Sequence, residues 1–317
     1  MADQANGYKL VFEFPRAMRD LVTGYLHDPW VNDVDWTTLE LAPGDFVSGD
    51  LRERTNDLLW RIRCKGQNRW VYIYVLLEFQ GSVQWYMAVR VASYEMLLYE
   101  QLIRTGQVTR GEKLPPIFGM VLYTGEGRWN AARDLGDLVE RLPGGSSAQH
   151  PRLGYHLLEE KDLAKRDMAG PKNLASALFR LKHSPTISAM LEIVDEMGEW
   201  LKEPEQTDLR QALGEWLRRV LLPLRAPKAK LPAMVDLMEA KRLMAEQVID
   251  WGKPWKDEGR REGLKQGEAA LLIRLLRNKF GTVPRPIQKR IAAADARTLL
   301  RWGERVLLAE RIEEVIE

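Results

Sequence analysis

The sequence predicts an α/β fold, a central sheet flanked by helices, followed by an all-α C-terminal half. Three observations lead there. Val71–Leu77 is an unbroken apolar run, and a strand apolar on both faces is covered on both sides, so it sits centrally in a sheet. Helical patterns stand before and after that run and supply the two covering layers. From about Lys172 onward the apolar spacing is helical throughout.

The elements follow in order. After Pro15, residues Met18, Leu21, Val22, Tyr25 and Leu26 recur on one helical face, and Pro15 suits the first turn. Asp20 lies opposite that face and is expected in solvent. Thr37–Leu41 reads as a short strand. Asp57–Arg63 and Trp70–Phe79 read as two strands, with turn chemistry at Lys65-Gly66-Gln67-Asn68 between them, so they form a hairpin. Gln84–Arg104 is helical in pattern and Pro116–Tyr123 is a further apolar strand.

Farther on, Leu174–Lys182 is one helix, and Ser184-Pro185 is expected to cap a second that runs to about Lys202. Thr207 is expected to cap a third, to about Leu222, and Leu231–Trp251 is a fourth. Gly259, Gly263 and Gly267 then recur every fourth residue, a slowly drifting helical stripe. It reads either as a close helix–helix contact or as a weak helical linker, since each internal glycine costs about 1 kcal/mol relative to alanine; the linker is preferred. Ala269–Phe280, Pro286–Ala294 and Ala296–Ile316 form a small helical module. The expected division is therefore 1–168 for the α/β domain, 169–256 for a helical region, 257–268 for the linker and 269–317 for the C-terminal helical domain.

Composition bounds the function classes. A chain of 317 residues exceeds one ordinary core, and 11 Trp, 9 Tyr and 7 Phe supply enough burial to exclude disorder as the dominant state. The single cysteine, Cys64, excludes an internal disulfide and a cysteine-based zinc cluster, and fits a cytoplasmic setting. No apolar run approaches the ~20 residues that span a bilayer, and the start at Met1-Ala2-Asp3-Gln4 lacks the pattern of a secretory signal, so no membrane partner is expected. The net charge of +2 hides a basic stretch between Gly252 and Arg290, with 11 Lys/Arg against 4 Asp/Glu. That stretch reads as a solvated helical face, with phosphate contact as the sharper alternative. His27, His150, His156 and His183 have no metal-ligand spacing and read as lone surface residues.

The chemistry concentrates at one strand end. Glu78-Phe79-Gln80 closes the buried strand, and positions 78 and 80 share a face. Asp57 opens the partner strand. A hairpin centred between Gly66 and Gln67 puts Asp57 opposite Leu76 and diagonal to Glu78; one centred a residue later puts Asp57 opposite Glu78 itself. In either register both carboxylates reach one ion, and two carboxylates this close repel unless a cation lies between them or one is protonated. Oxygen ligands select Mg²⁺ or Mn²⁺, and such an ion with open positions polarises a phosphodiester and activates water. Gln80 carries no charge but can orient water or touch a phosphate oxygen. The bland alternative, that acidic residues merely flank a strand, is the commoner outcome for spacing alone.

These residues also carry a resemblance. The blocks Leu51–Arg61, Val75–Gln80, Met87–Arg90 with Tyr94, and Pro115–Glu126, together with Val34-Asp35-Trp36 and the Glu258-Gly259 repeats, resemble the recombination-promoting nuclease (transposase-like) family. That family belongs to the PD-(D/E)xK nuclease superfamily, in which glutamine often replaces the signature lysine. The tail from Gly267 resembles a helical domain often attached behind this nuclease. The resemblance implies a PD-(D/E)xK-like mixed sheet and a Mg²⁺- or Mn²⁺-dependent DNA endonuclease linked to recombination or mobile elements. It implies Asp57 and Glu78 as catalytic metal ligands, the backbone carbonyl of Phe79 as a further ligand, and Gln80 as the third signature position. Arg90 and Tyr94 share a helix face and either contact phosphate or lock the helix to the sheet. Gln4-Ala5 stand where family members carry His-Asp, and Asp20 and Glu13 are weak substitutes for the superfamily's helix-one acid. That motivates the alternative of a catalytically inactive nuclease fold that binds DNA or protein. The leucine-rich C-terminal helices read as core or as a homo-oligomer surface.

Overall fold

The computed structural model describes residues 2–42, 57–66, 69–78, 83–125, 127–140, 151–164, 172–225, 236–246, 267–309 and 311–316. Packing divides the chain into two units, Met1–Ser184 with Ser188–Gln247, and Val248–Glu317 with Pro185–Ile187.

The first unit begins with α1 (Ala2–Phe12) and α2 (Pro15–Tyr25). Sequence periodicity does not announce α1, whose described side chains bury Tyr8, Val11 and Phe12. Helix α2 starts at Pro15 and buries Met18, Leu21, Val22 and Tyr25, as its spacing predicts. Asp20 is a correction: it is only 7% exposed, not solvated. Its Oδ2 accepts the backbone N–H of Leu174 at 2.9 Å, and its carbonyl accepts from the Asn173 side chain at 2.7 Å. A second layer of helix covers the side of α2 that periodicity assigns to water.

Strands β1 (Val34–Leu41), β2 (Asp57–Cys64) and β3 (Trp70–Glu78) form an antiparallel meander. The hairpin takes the first of the two anticipated registers, with Asp57 paired to Leu76 and Arg63 to Trp70. Gly66, at φ +66°, occupies the left-handed region that the turn requires. Helix α3 (Met87–Arg104) then crosses back to β4 (Ile117–Tyr123), parallel to β3, and β5 (His156–Glu159) adds in parallel to β4. The sheet order is β1-β2-β3-β4-β5, a mixed sheet with β3 in the centre. Helix α3 lays Met87, Val91, Tyr94 and Leu98 on Leu59, Tyr72, Tyr74 and Val121 of one face. Alternation sends Ile73 and Val75, both fully buried, to the other face, and α1 and α2 pack on β1–β3.

The helices that follow belong to the same packing. They are α4 (Glu160–Leu163), α5 (Leu174–Lys182), α6 (Ile187–Trp200), α7 (Thr207–Trp216), α8 (Leu222–Arg225) and α9 (Leu237–Glu246). Helix α5 packs on α2 and α7 packs on α1, so residues 172–246 are not a body apart from the sheet. Asn173 caps α5, its Oδ1 accepting the N–H of Ser176 at 2.8 Å. Two expected caps act otherwise. Ser184 donates to the Arg180 carbonyl at 2.9 Å and α6 begins only at Ile187; Thr207 is itself helical and donates to the Pro204 carbonyl at 2.7 Å. Between α7 and α8 a π-helical turn spans Leu217–Leu221, with the Leu222 N–H reaching the Leu217 carbonyl. Pro223 follows, with no N–H to continue an α-helical ladder, and the turn before it widens.

The second unit contains a helix over 267–280 (α10), α11 (Arg285–Ala293), α12 (Ala296–Leu308) and α13 (Ile312–Ile316). Its core is built from Leu272, Leu276, Ile287, Ile291, Leu299 and Trp302. The helix expected over Ala296–Ile316 is two helices, with the break at Ala309. Gly281 ends α10 at φ +82°, its N–H bonded to the Arg277 carbonyl at 3.0 Å. The Glu258-Gly259 and Glu262-Gly263 repeats lie outside the described residues.

Candidate active site at the tip of β2 and β3

Asp57 is the first residue of β2, and its side chain is only 2% exposed. A carboxylate so buried needs compensation, and two neighbours provide it. The Tyr74 hydroxyl donates to Asp57 Oδ2 at 2.7 Å, and the Arg90 guanidinium lies 3.7 Å from Oδ1. Tyr74 reaches because it stands two residues from Leu76, the pairing partner of Asp57, on the same face of β3. Burial first, then the negative charge of Asp57, push the Tyr74 phenol well above its usual range. It therefore stays a neutral donor at physiological pH, and the carboxylate orientation is held.

Helix α3 fixes the arrangement from above. The Tyr94 ring stacks on Tyr74 at 3.9 Å between centroids and 11° between planes. Arg90 and Tyr94, one turn apart, thus face the sheet together. Tyr94 is buried and acts as a lock between helix and sheet; Arg90 remains about a quarter exposed beside the carboxylate.

Glu78 ends β3, its backbone paired with Tyr123 of β4, two positions beyond the partner of Asp57 and so diagonal to it. Phe79 and Gln80 lie outside the described residues. Among the described residues no group of three His, Cys, Asp or Glu side chains forms a metal cluster. Asp57 offers carboxylate oxygens, the ligand type that a hard divalent cation takes, with the Arg90 guanidinium 3.7 Å from one of them. Neither helix-one acid joins Asp57: Glu13 pairs with Lys9 at 3.9 Å, and Asp20 accepts the Leu174 N–H at the start of α5.

A second buried polar cluster, which the sequence reading does not single out, closes the far side of the same sheet edge. Glu160, just past β5, accepts from the Tyr8 hydroxyl at 2.7 Å and from Lys182 Nζ at 2.6 Å. His183 Nε2 lies 3.6 Å from the same carboxylate, so His183 is not a lone surface residue. Burial alone would raise the Glu160 carboxyl, but Lys182, His183 and Tyr8 together hold it below its usual value. The cluster joins α1, α5 and the ends of β4 and β5, with Lys182 also 3.4 Å from the Thr124 carbonyl. Its members come from distant segments, so no local spacing signals it. His156 likewise stands 3.6 Å from Asp28.

A mixed sheet between helical layers, with a tyrosine-anchored carboxylate at the mouth of an antiparallel pair, defines an α/β protein with a buried acid at one sheet edge. A family model described as "Putative transposase, YhgA-like" matches residues 6–211, from α1 into α7, and the chain belongs to that family. Curated relatives agree. The chain is 26% identical over 184 residues to the recombination-promoting nuclease RpnA of Escherichia coli K12, covering 51% of this chain and 61% of that protein. It is 25% identical over 184 residues to RpnD of Escherichia coli O157:H7, covering 51% and 68%. It is 24% identical over 183 residues to RpnE of strain K12, named an inactive recombination-promoting nuclease-like protein, covering 51% and 59%. No solved structure matches.

Proposed function

We propose that this chain is a metal-dependent DNA endonuclease of the PD-(D/E)xK type, acting in recombination or mobile-element biology. The observation that carries the reading is the buried Asp57 carboxylate, oriented by Tyr74 and Arg90, with the hairpin register bringing position 78 diagonal to it. Relatives named as nucleases align over 51% of the chain. Asp57, Glu78 and the Phe79 carbonyl would hold Mg²⁺ or Mn²⁺, and such an ion supplies polarisation of a phosphodiester and a water of lowered pKa. Tyr74 keeps the Asp57 lone pairs aimed, Arg90 balances charge and faces phosphate, and Gln80 orients water. A cytoplasmic setting, and self-association through the C-terminal helices, complete the proposal.

Nicking of supercoiled plasmid in Mg²⁺ tests the reading. Asp57→Ala and Glu78→Ala should each abolish it, and nicking that survives both substitutions would refute the assignment. A second reading, a catalytically inactive binding module, is favoured by the guanidinium already facing Asp57 and by the relative named inactive. Mn²⁺ titration followed by electron paramagnetic resonance separates the two, since the inactive module leaves the ion free.

Among the described residues no helix is long and apolar enough to cross a membrane.

A further inference from the structure

Two large aromatic side chains stand in water where α3 begins. Trp85 is 55% exposed and Tyr86 66% exposed. They adjoin the candidate site. The Arg90 N–H bonds to the Tyr86 carbonyl at 3.1 Å, one turn along, and the Arg90 guanidinium faces Asp57. Residues 86, 90 and 94 run along one side of the helix. Tyr94 is buried on Tyr74, Arg90 is partly exposed, and Tyr86 reaches solvent, so one row leads from the core past Asp57 to the surface.

Exposed tryptophan and tyrosine side by side leave apolar ring faces unburied, which marks a contact surface. The helix itself offers a cation to an anionic partner: the first turn of α3 carries no acidic side chain, and Arg90, about a quarter exposed, lies within it. A ligand that offers a phosphate to the cation and a flat apolar group to the rings is a nucleotide unit. In a paired duplex the base faces are covered by their neighbours, and only an unstacked base offers a face to an aromatic side chain.

We propose that Trp85 and Tyr86 form a stacking platform for an unpaired base beside Asp57, which makes single-stranded or frayed DNA the preferred substrate over intact duplex. The proposal rests on the nucleic-acid reading above and adds the form of nucleic acid to it. Val89, Met96 and Ile103 extend exposed apolar surface along α3 at seven-residue intervals, the spacing that a helix contact between two copies of the chain would use. That occupant is an outcome of the test.

The test is fluorescence anisotropy in EDTA, so that nothing is cut, with a labelled oligothymidine and a labelled blunt duplex. The wild type should prefer the single strand. Trp85→Ala with Tyr86→Ala should weaken single-strand binding by about 5- to 150-fold, leave duplex binding within about twofold, and be rescued by Phe at both positions. Unchanged single-strand affinity, or equal loss on both probes, overturns the platform while leaving the nuclease reading standing. A wild-type dimer in light scattering that the alanine pair dissociates, with DNA affinity unchanged, assigns the patch to self-association and overturns it as well. A wild type that binds neither probe removes the nucleic-acid reading and the platform with it.

Discussion

Glu95 offers the sharpest stability test. Its carboxyl is 4% exposed on the sheet side of α3, against the backbone of Gly119, where an added Cβ would come within 2.9 Å of Oε1. Burial raises it from 4.5 to about 7. The folded state therefore binds more protons than the unfolded chain between those values, and stability falls as pH rises through that window. Below about pH 4.5 both states hold the proton and the penalty is absent; above about pH 7 it is complete. A shift of roughly 2.5 units corresponds to about 3 kcal/mol. Glu95→Gln keeps the shape and removes the charge. Urea unfolding at pH 5 and pH 8 should find the variant close to wild type at the lower pH and more stable by about 1–3 kcal/mol at the higher, the lower figure allowing for the amide's own desolvation. A variant no more stable than wild type at pH 8, or a difference that does not grow with pH, would refute the burial argument.

Other perturbations have equally definite outcomes. Tyr74→Phe removes the donor to buried Asp57 and should cost about 1–3 kcal/mol in urea unfolding, with plasmid nicking lowered in parallel. Lys182→Met strands the Glu160 charge and should destabilise by about 3–5 kcal/mol, relieved in the double variant with Glu160→Gln. Because the folded Glu160 carboxyl is held low, its contribution is present above the unfolded carboxyl value and lost as pH falls through the folded one, so the cost of Lys182→Met in urea unfolding should be largest at neutral pH and shrink toward acid pH. Gly119→Ala would set a Cβ 2.6 Å from Val91 and should cost about 1–3 kcal/mol, read as a lowered Tm.

What could be read from the chain was what local periodicity encodes. The apolar run of β3 announced a strand covered on both faces, and the hairpin's turn residues narrowed the register to two choices, one of which is realised. The helix α1 and the four-residue β5 escaped because neither carries enough periodic positions to stand out. Asp20 was misplaced because the period of α2 describes one covered face and cannot reveal that α5 lands on the other. At the site, Asp57 was legible as the acid opening a strand. Tyr74 was not, since a tyrosine in an apolar strand looks like core until its hydroxyl is seen to meet a carboxylate. The Glu160 cluster draws Tyr8 and Lys182 from positions 152 residues before and 22 residues after it, and nothing in either neighbourhood points to the other.

That cluster bears on how the protein can be dissected. An excised fragment stopping near residue 168, where the α/β pattern gives way to helices, would keep Glu160 and Asp20 but discard the ammonium that neutralises one and the amide that caps onto the other. It would also expose Tyr8, whose ring meets Trp216 edge-on at 5.5 Å. The smallest autonomous fragment therefore reaches well into the helical segment, and a fragment shorter than that would lose its fold.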